Sequence, residues 1–464
     1  MSQGALFSVF FGLVYCYIAL AHRHRGVVVW LGAVLAVLVS TRLGHPVDIP
    51  ELMAGINWNV LLIFGGILFI AEVMIDVGIP ANLAGRIING SRNYGWAAVL
   101  ICALASVLSI FVENVATVMI VAPIAFEVCR KHGANPVPLL VGIAISSNLQ
   151  GTATLVGDPP SMILAASENM GFNDFFFMLG RPGIFFAVQA GAVASFGILW
   201  KYLGGNRDAV PRVRVTPVVS WIPVYILAAV IAGLALLSLY ESGVGTAAGL
   251  LCAGGGALSV AWYGIYRRGR KTPGAMERTP WKLVKAFDLD TLFLLGGIFF
   301  MVAALDEYGV MEATGAYLAG VAGDSPVTAY LMIVAGSMLI SAFVDNVPFV
   351  TAMIPVTRAL AMNMADSGGS HHYLVFGLLI GSCLGGNISP VGASANIVAV
   401  SLLRKQGHKV SFWDFTRIGL PELLEIAQCL AVLAALYHDP RSVPQKPCAP
   451  EGLNSGIDDK KVRA

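Results

Sequence analysis

The sequence predicts an all-α polytopic membrane protein made of two inverted repeats, with re-entrant hairpins, broken helices and about ten crossings. Three observations carry that prediction. The chain is 57% hydrophobic and 12% charged, with a mean hydropathy of +0.75, where a soluble domain carries roughly 25% charged residues. An acid–asparagine phrase occurs twice in apolar sequence, as Phe111-Val112-Glu113-Asn114-Val115 and as Phe343-Val344-Asp345-Asn346-Val347. The copies lie 232 residues apart, counted from Asn114 to Asn346 and again from Pro123 to Pro355. A carboxylate in hydrocarbon costs about 2.5–3.5 kcal/mol on insertion scales. Two at matching places mark a duplicated site.

The elements follow in order. Ala5–Ala21 has no basic segment before it and no clear small-residue cleavage site, and Arg23 and Arg25 come after it. It reads as a first transmembrane helix rather than a signal peptide. Val27–Arg42 is the second, and together they fill residues 1–56. The first repeat, residues 57–203, crosses at Asn57–Val77, Pro138–Ala165 and Asp174–Tyr202. Val218–Tyr240 and Gly243–Tyr266 are linker helices within 204–288, which also holds a basic loop from Arg267 to Lys285. The second repeat, residues 289–437, crosses at Asp290–Tyr308, Tyr373–Leu403 and Phe415–Tyr437. The tail, 438–464, is rich in Pro, Ser and charge and is expected to be disordered.

Two runs, Tyr94–Arg130 and Pro326–Leu360, are nearly twice a span but lack a polar turn outside the membrane. Each holds its acid–Asn phrase near the middle. Each reads as a re-entrant helical hairpin that returns on the side it entered.

The charges set the orientation. One set of loops holds Arg23, Arg25, Arg86, Arg92, Arg130, Lys131, Lys201, the Arg267–Lys285 stretch, Arg404 and Lys405. The other holds Arg42, Arg181 and Arg358 beside Glu307, Glu312 and Asp324. The positive-inside rule places the basic set in the cytoplasm and both termini outside. The first repeat then begins outside and the second inside. More blocks match in the same order: Leu62-Ile63-Phe64-Gly65-Gly66-Ile67 with Phe293-Leu294-Leu295-Gly296-Gly297-Ile298, Gly78 with Gly309, and Pro182 with Pro421. Inverted repeats with interrupted helices are the sequence sign of a secondary transporter whose site lies at the repeat interface.

Each half supplies two breaks. The hairpin tips carry Glu113, Asn114 and Thr117 in one half and Asp345 and Asn346 in the other, where Pro348 is expected to disrupt the helix. The second break of the first half spans Ser147 to Pro160 and offers Ser147, Asn148, Thr152, Thr154 and Asp158 before a double proline. Its counterpart offers Ser382, Asn387, Ser389, Ser394 and Asn396, with Ala393 in place of Asp158. Unwound backbone at membrane depth is tolerated only where it is buried or lines a cavity. Asn offers two donors and an acceptor, and a carboxylate in such a place takes a proton or pairs with a cation. The alternative role for each acid is capping a helix N-terminus. Glu72, Asp76, Glu422 and Glu425 sit at helix ends near water, and Glu425 is the one to test for a proton role.

At these residues the chain resembles the ion transporter superfamily, which includes arsenite permeases, NhaD-type sodium/proton antiporters, the P protein and the divalent anion–sodium symporters. Gly151-Thr152-Ala153-Thr154-Leu155-Val156-Gly157-Asp158-Pro159-Pro160 and Val391-Gly392-Ala393-Ser394-Ala395-Asn396 are most similar to the P-protein and arsenite-permease-like branch. The resemblance implies a scaffold with a mobile transport domain, a homodimer and an elevator-type motion. Where dicarboxylate symporters carry Ser-Asn-Thr at both tips, this chain has Glu113-Asn114-Val115 and Asp345-Asn346-Val347.

The functional expectation is therefore a secondary active transporter of a small inorganic ion, coupled to proton or sodium. Sodium-coupled carboxylate symport and a channel-like anion conductance are the alternatives. An acid beside the binding point repels a dicarboxylate, which sets citrate below an inorganic ion. There is no HExxH, no GxSxG and no cysteine pair at metal spacing, so neither an enzyme nor a resident metal or cofactor is expected, sodium at the hairpin tips apart. Cys383 reads as packing. The partners are the lipid bilayer and the transported ion, with no nucleic acid, and the location is the cell (inner) membrane.

Overall fold

The computed structural model describes residues 3–20, 24–178, 180–205, 207–209, 212–240, 245–269, 278–286, 288–323, 325–364 and 372–421. It opens with α1 (Gln3–Leu20), α2 (Arg25–Arg42) and the short α3 (Ile49–Ala54). The first half contains α4 (Trp58–Asp76), α5 (Ile79–Gly90), α6 (Tyr94–Ser109), α7 (Asn114–His132), α8 (Val137–Gly151), α9 (Pro159–Ser167) and α10 (Ile184–Leu203). Between the halves lie α11 (Ile222–Tyr240), α12 (Thr246–Gly269) and α13 (Pro280–Ala286). The second half contains α14 (Leu289–Glu307), α15 (Val310–Ala322), α16 (Pro326–Ser341), α17 (Asn346–Asn363), α18 (His372–Gly386) and α19 (Ser394–Lys405), then helical residues 412–421.

The same succession of elements thus occurs twice. Both hairpins form: α6 turns into α7 over residues 110–113, and α16 into α17 over 342–345. Both broken helices form, unwound over 152–158 and 387–393. The contacts recur as well. α6 packs on α8 and α5 on α7, as α16 packs on α18 and α15 on α17. The halves interlock, because α17 packs on α9 of the first half and α7 on α19 of the second. Two apolar cores reflect this. One joins α6, α7 and α8 to Ala395, Ala399 and Leu403 of α19, and the other joins α16, α17 and α18 to Met162, Ile163 and Leu164 of α9. A helix broken in the middle can serve both cores; a straight one would belong to one.

Several expectations are corrected. Among the described residues six helices are long and apolar enough to cross a membrane, or seven if one bent pair counts as a span, against the expected ten or so. The difference arises because the broken helices split into pieces below a span's length, and Gln3–Ile18, Val137–Gly151 and His372–Gly386 are shorter apolar helices. α5 and α15, read as loops, are helices. They are too short and too mixed in polarity for a span threshold, and each starts after a glycine with positive φ, Gly78 at 80° and Gly309 at 70°, which turns the chain sharply off α4 and α14. The crossing expected from Asp174 begins only at Ile184; before it lie a short 3-10 turn and a two-residue antiparallel pairing of Phe177 with Pro182 and Met178 with Arg181. Pro348 breaks nothing. It lies in the first turn of α17, where a missing N–H would have no intrahelical partner anyway. Glu422, Glu425, the rest of the Phe415–Tyr437 crossing and the tail lie outside the described residues.

Candidate functional site

Both tip acids cap the helix that follows them. Glu113 accepts the Ala116 N–H at 3.0 Å, and Asp345 Oδ1 accepts the Val347 N–H at 3.2 Å. The capping role expected as the alternative is therefore filled at both tips. The asparagine beside each acid is buried and points elsewhere. Ser109 Oγ donates to Asn114 Oδ1 at 2.5 Å, and Ser147 Oγ donates to the Asn114 carbonyl at 3.2 Å. Asn346 Nδ2 lies 3.4 Å from both Asp158 Oδ2 and Cys383 Sγ.

Each tip is fastened to the break of its own half. Thr154 Oγ1 donates to the Ile110 carbonyl at 2.6 Å, and Ser389 Oγ donates to the Ala342 carbonyl. Ser389 Oγ also accepts the N–H groups of Val391 and Gly392, at 3.2 and 3.0 Å. These are equivalent contacts in equivalent places. The remaining predicted hydroxyls act locally. Thr152 Oγ1 and Ser382 Oγ donate to carbonyls three residues back, Leu149 and Leu379, at 2.7 and 2.9 Å. Thr117 Oγ1 lies 3.4 Å from the Val112 carbonyl of its own hairpin.

Between the halves stands Asp158. It occupies the N-cap position of α9 without capping it. Instead its Oδ2 lies 3.4 Å from Asn346 Nδ2 of the other half's tip, with Glu113 and Asp345 within electrostatic reach. Beside it three buried carboxamides meet across the halves: Asn148 Nδ2 donates to Asn387 Oδ1 and to Asn396 Oδ1, each at 2.9 Å. Asn396 Nδ2 continues to the carbonyls of Gly386 at 2.7 Å and Ser389 at 3.0 Å. Asn148 Oδ1 and Asn387 Nδ2 have no partner among the described residues. Buried polar groups are ordinarily satisfied, so this junction keeps one open acceptor and one open donor.

A polar cluster that joins two halves through hairpin tips and broken helices is a transporter's arrangement, and the comparisons agree. The family described as CitMHS, citrate transporter, matches residues 15–368 and, in a second overlapping match, 273–447. The chain belongs to that citrate transporter family. An uncharacterized transporter of Mycobacterium tuberculosis is 30% identical over 83% of this chain and 86% of its own length. The P protein of Homo sapiens is 24% identical over 91% of this chain and 59% of its own. Among solved structures, the YdaH transporter of Alcanivorax borkumensis shares the fold at a TM-score of 0.59, with 14% identity, over 94% of this chain and 98% of that one. The protein is thus an integral membrane transporter.

Sequence reasoning missed three residues of this family member's cluster. Ser109 closes the first tip but looks like any serine in an apolar run. Cys383, read as packing, touches Asn346. Arg25, read as a solvated loop residue, pairs with Asp345 at 2.8 Å and is 12% exposed. Nothing in its spacing announces that, since α2 lies outside both repeats. Glu72 and Asp76, read as boundary acids, hold the interhalf linker: Arg278 lies 2.9 Å from Glu72 and 3.7 Å from Asp76, whose carboxylate also takes the Tyr263 hydroxyl.

Proposed function

We propose that this protein is an ion-coupled secondary transporter of a small anion, working by alternating access, with its site between the hairpin tips and the two breaks. The carrying observation is Asp158, a buried first-half carboxylate whose Oδ2 lies 3.4 Å from Asn346 Nδ2 of the second half. A group bridging two interlocked halves is where a change in their arrangement would be felt. Glu113, Asn114, Asp158, Asp345 and Asn346 bind the ion or its coupling proton or sodium. Thr154 and Ser389 fix tips to breaks, and Asn148, Asn387 and Asn396 line the junction, with Thr117, Ser147, Thr152, Ser382 and Ser394 supporting them.

The repeats, 57–203 and 289–437, are inverted in the membrane, and the mobile parts are the hairpins and broken helices. The assembly is a homodimer in the cell membrane, moving in elevator fashion. The inversion rests on the doubled element order and on the charge asymmetry of the loops; the mobile domain, the homodimer and the elevator motion are what the resemblance implies.

Purified protein in proteoliposomes with imposed pH and sodium gradients tests the reading. Gradient-driven anion flux is expected, and Asn114→Ala and Asn346→Ala should abolish it while the protein stays folded. Undiminished flux in both variants would sink the site assignment. Current that flows without any second ion would favour a conductance instead.

A carboxylate is the second reading for the anion. The tip acids argued against it, but Asp345 is neutralised by Arg25, so the charge that would repel a carboxylate there is offset. The family's citrate transporters point the same way. An inorganic oxyanion remains the competing cargo, as in the arsenite-permease-like branch.

A further inference from the structure

The N-terminal pair α1–α2 belongs to neither repeat, yet it supplies a cation to the second tip. Arg25 Nη1 donates to Asp345 Oδ2 at 2.8 Å and to Ser394 Oγ at 3.2 Å. Ser394 Oγ donates to the same carboxylate oxygen at 2.5 Å. The Tyr15 hydroxyl of α1 donates to the Pro348 carbonyl a turn further on. The first tip is different. Among the described residues no cation pairs with Glu113, whose carboxylate caps α7.

Asp345 uses one corner of the guanidinium. Arg25 Nε is buried and without a partner among the described residues. The Nε and Nη2 donors lie along one edge, and a guanidinium edge matches a carboxylate with two parallel hydrogen bonds. A buried donor left without an acceptor is unfavourable, so the open edge favours a second acceptor.

We propose that Arg25 is the anion-recognising residue of the transport site and that its open edge receives a carboxylate of the substrate. The inference rests on the reading of the tips and breaks as that site. Asp345 is then both anchor and rival. It holds Arg25 in place, and its negative charge weakens the hold of Arg25 on any further anion. Glu113 and Asp158 lie within its electrostatic reach and add to that opposition. Affinity for a carboxylate is set by the balance of one arginine against these acids.

The balance gives opposite signs for two substitutions. Full-length protein in nanodiscs is titrated with citrate by calorimetry, with succinate and acetate as smaller probes. Arg25→Gln should weaken citrate binding at least tenfold. Arg25→Lys keeps the charge but loses the edge, and should fall between it and the unmodified protein. Asp345→Asn should tighten citrate several-fold. If the pair were only a tether between α2 and the tip, Arg25→Gln and Asp345→Asn would lower the melting temperature alike and move affinity in the same direction or not at all. That outcome overturns the inference, as does unmodified protein that binds none of the three carboxylates. Should Arg25→Gln not fold, Arg25→Lys and Asp345→Asn carry the same opposed signs. Gradient-driven flux in proteoliposomes with affinity indifferent to Arg25 would keep the transporter and discard the role of Arg25.

Discussion

A β-carbon at Gly157 would lie 2.5 Å from the Gly151 carbonyl oxygen and 2.9 Å from that of Ser109; at Gly392 it would lie 2.8 Å from the Gly386 oxygen and 2.7 Å from that of Ser341. The same pair of collisions recurs in both halves. Each break folds back over the end of its own helix and against its hairpin, and only a bare backbone fits. Gly157→Ala and Gly392→Ala should each cost about 1–3 kcal/mol, read as a lower melting temperature in detergent. Gly90→Ala, where nothing lies within 4 Å, should leave it unchanged or slightly raised. These glycines were legible in the sequence because they recur at nearly the same offset, 392 − 157 = 235 residues against 346 − 114 = 232 for the asparagines. Arg25 was not, because a partner across 320 residues, Asp345, leaves no local periodicity; Ser109, whose partner Asn114 is five residues on, was passed over as one serine in an apolar run.

At the scale of elements, the hairpins and broken helices could be read from length and polarity, since an apolar run twice a span with no outer turn has few other solutions. The arm helices α5 and α15 could not, because hydropathy thresholds pass over 12- and 13-residue helices. Nor could the interlock of α9 with α17, which tertiary packing alone decides. That contact is tied at one end by Glu168, a carboxylate with a side chain 2% exposed, which accepts from Arg358 Nε at 2.7 Å with His372 Nδ1 at 3.8 Å. Arg358 was read as an isolated charge of the outer loops; it joins the second hairpin to the first half. Arg358→Gln removes the charge opposite a buried carboxylate and should destabilise by about 1–3 kcal/mol. Glu168→Gln in the same background should restore part of that loss, because the remaining amide pair leaves no buried charge. A melting temperature unaffected by Arg358→Gln would mean that apolar packing alone holds α9 to α17.

For the whole molecule the question is orientation. Contacts repeat between the halves whether the halves are inverted or parallel in the membrane, so their recurrence does not choose. The loop charges support the proposed inversion: Arg86 stands on α5 and Arg92 in the turn just after it, whereas Glu312 stands on α15, the counterpart of α5 in the second half. Under the positive-inside rule the first turn faces the cytoplasm and the second faces out. Arg92, exposed after α5, and Ser325, exposed before α16, are therefore expected on opposite sides. Arg92→Cys and Ser325→Cys can be built separately in a background lacking the exposed Cys16 and also lacking Cys429 and Cys448. An impermeant thiol reagent added to intact cells should label the second variant and spare the first until the membrane is opened. Labelling of both from outside would make the repeats parallel. Alternating access would then require something other than two halves related by a two-fold axis in the membrane plane exchanging roles around Asp158, because only inversion makes the inward and outward arrangements equivalent.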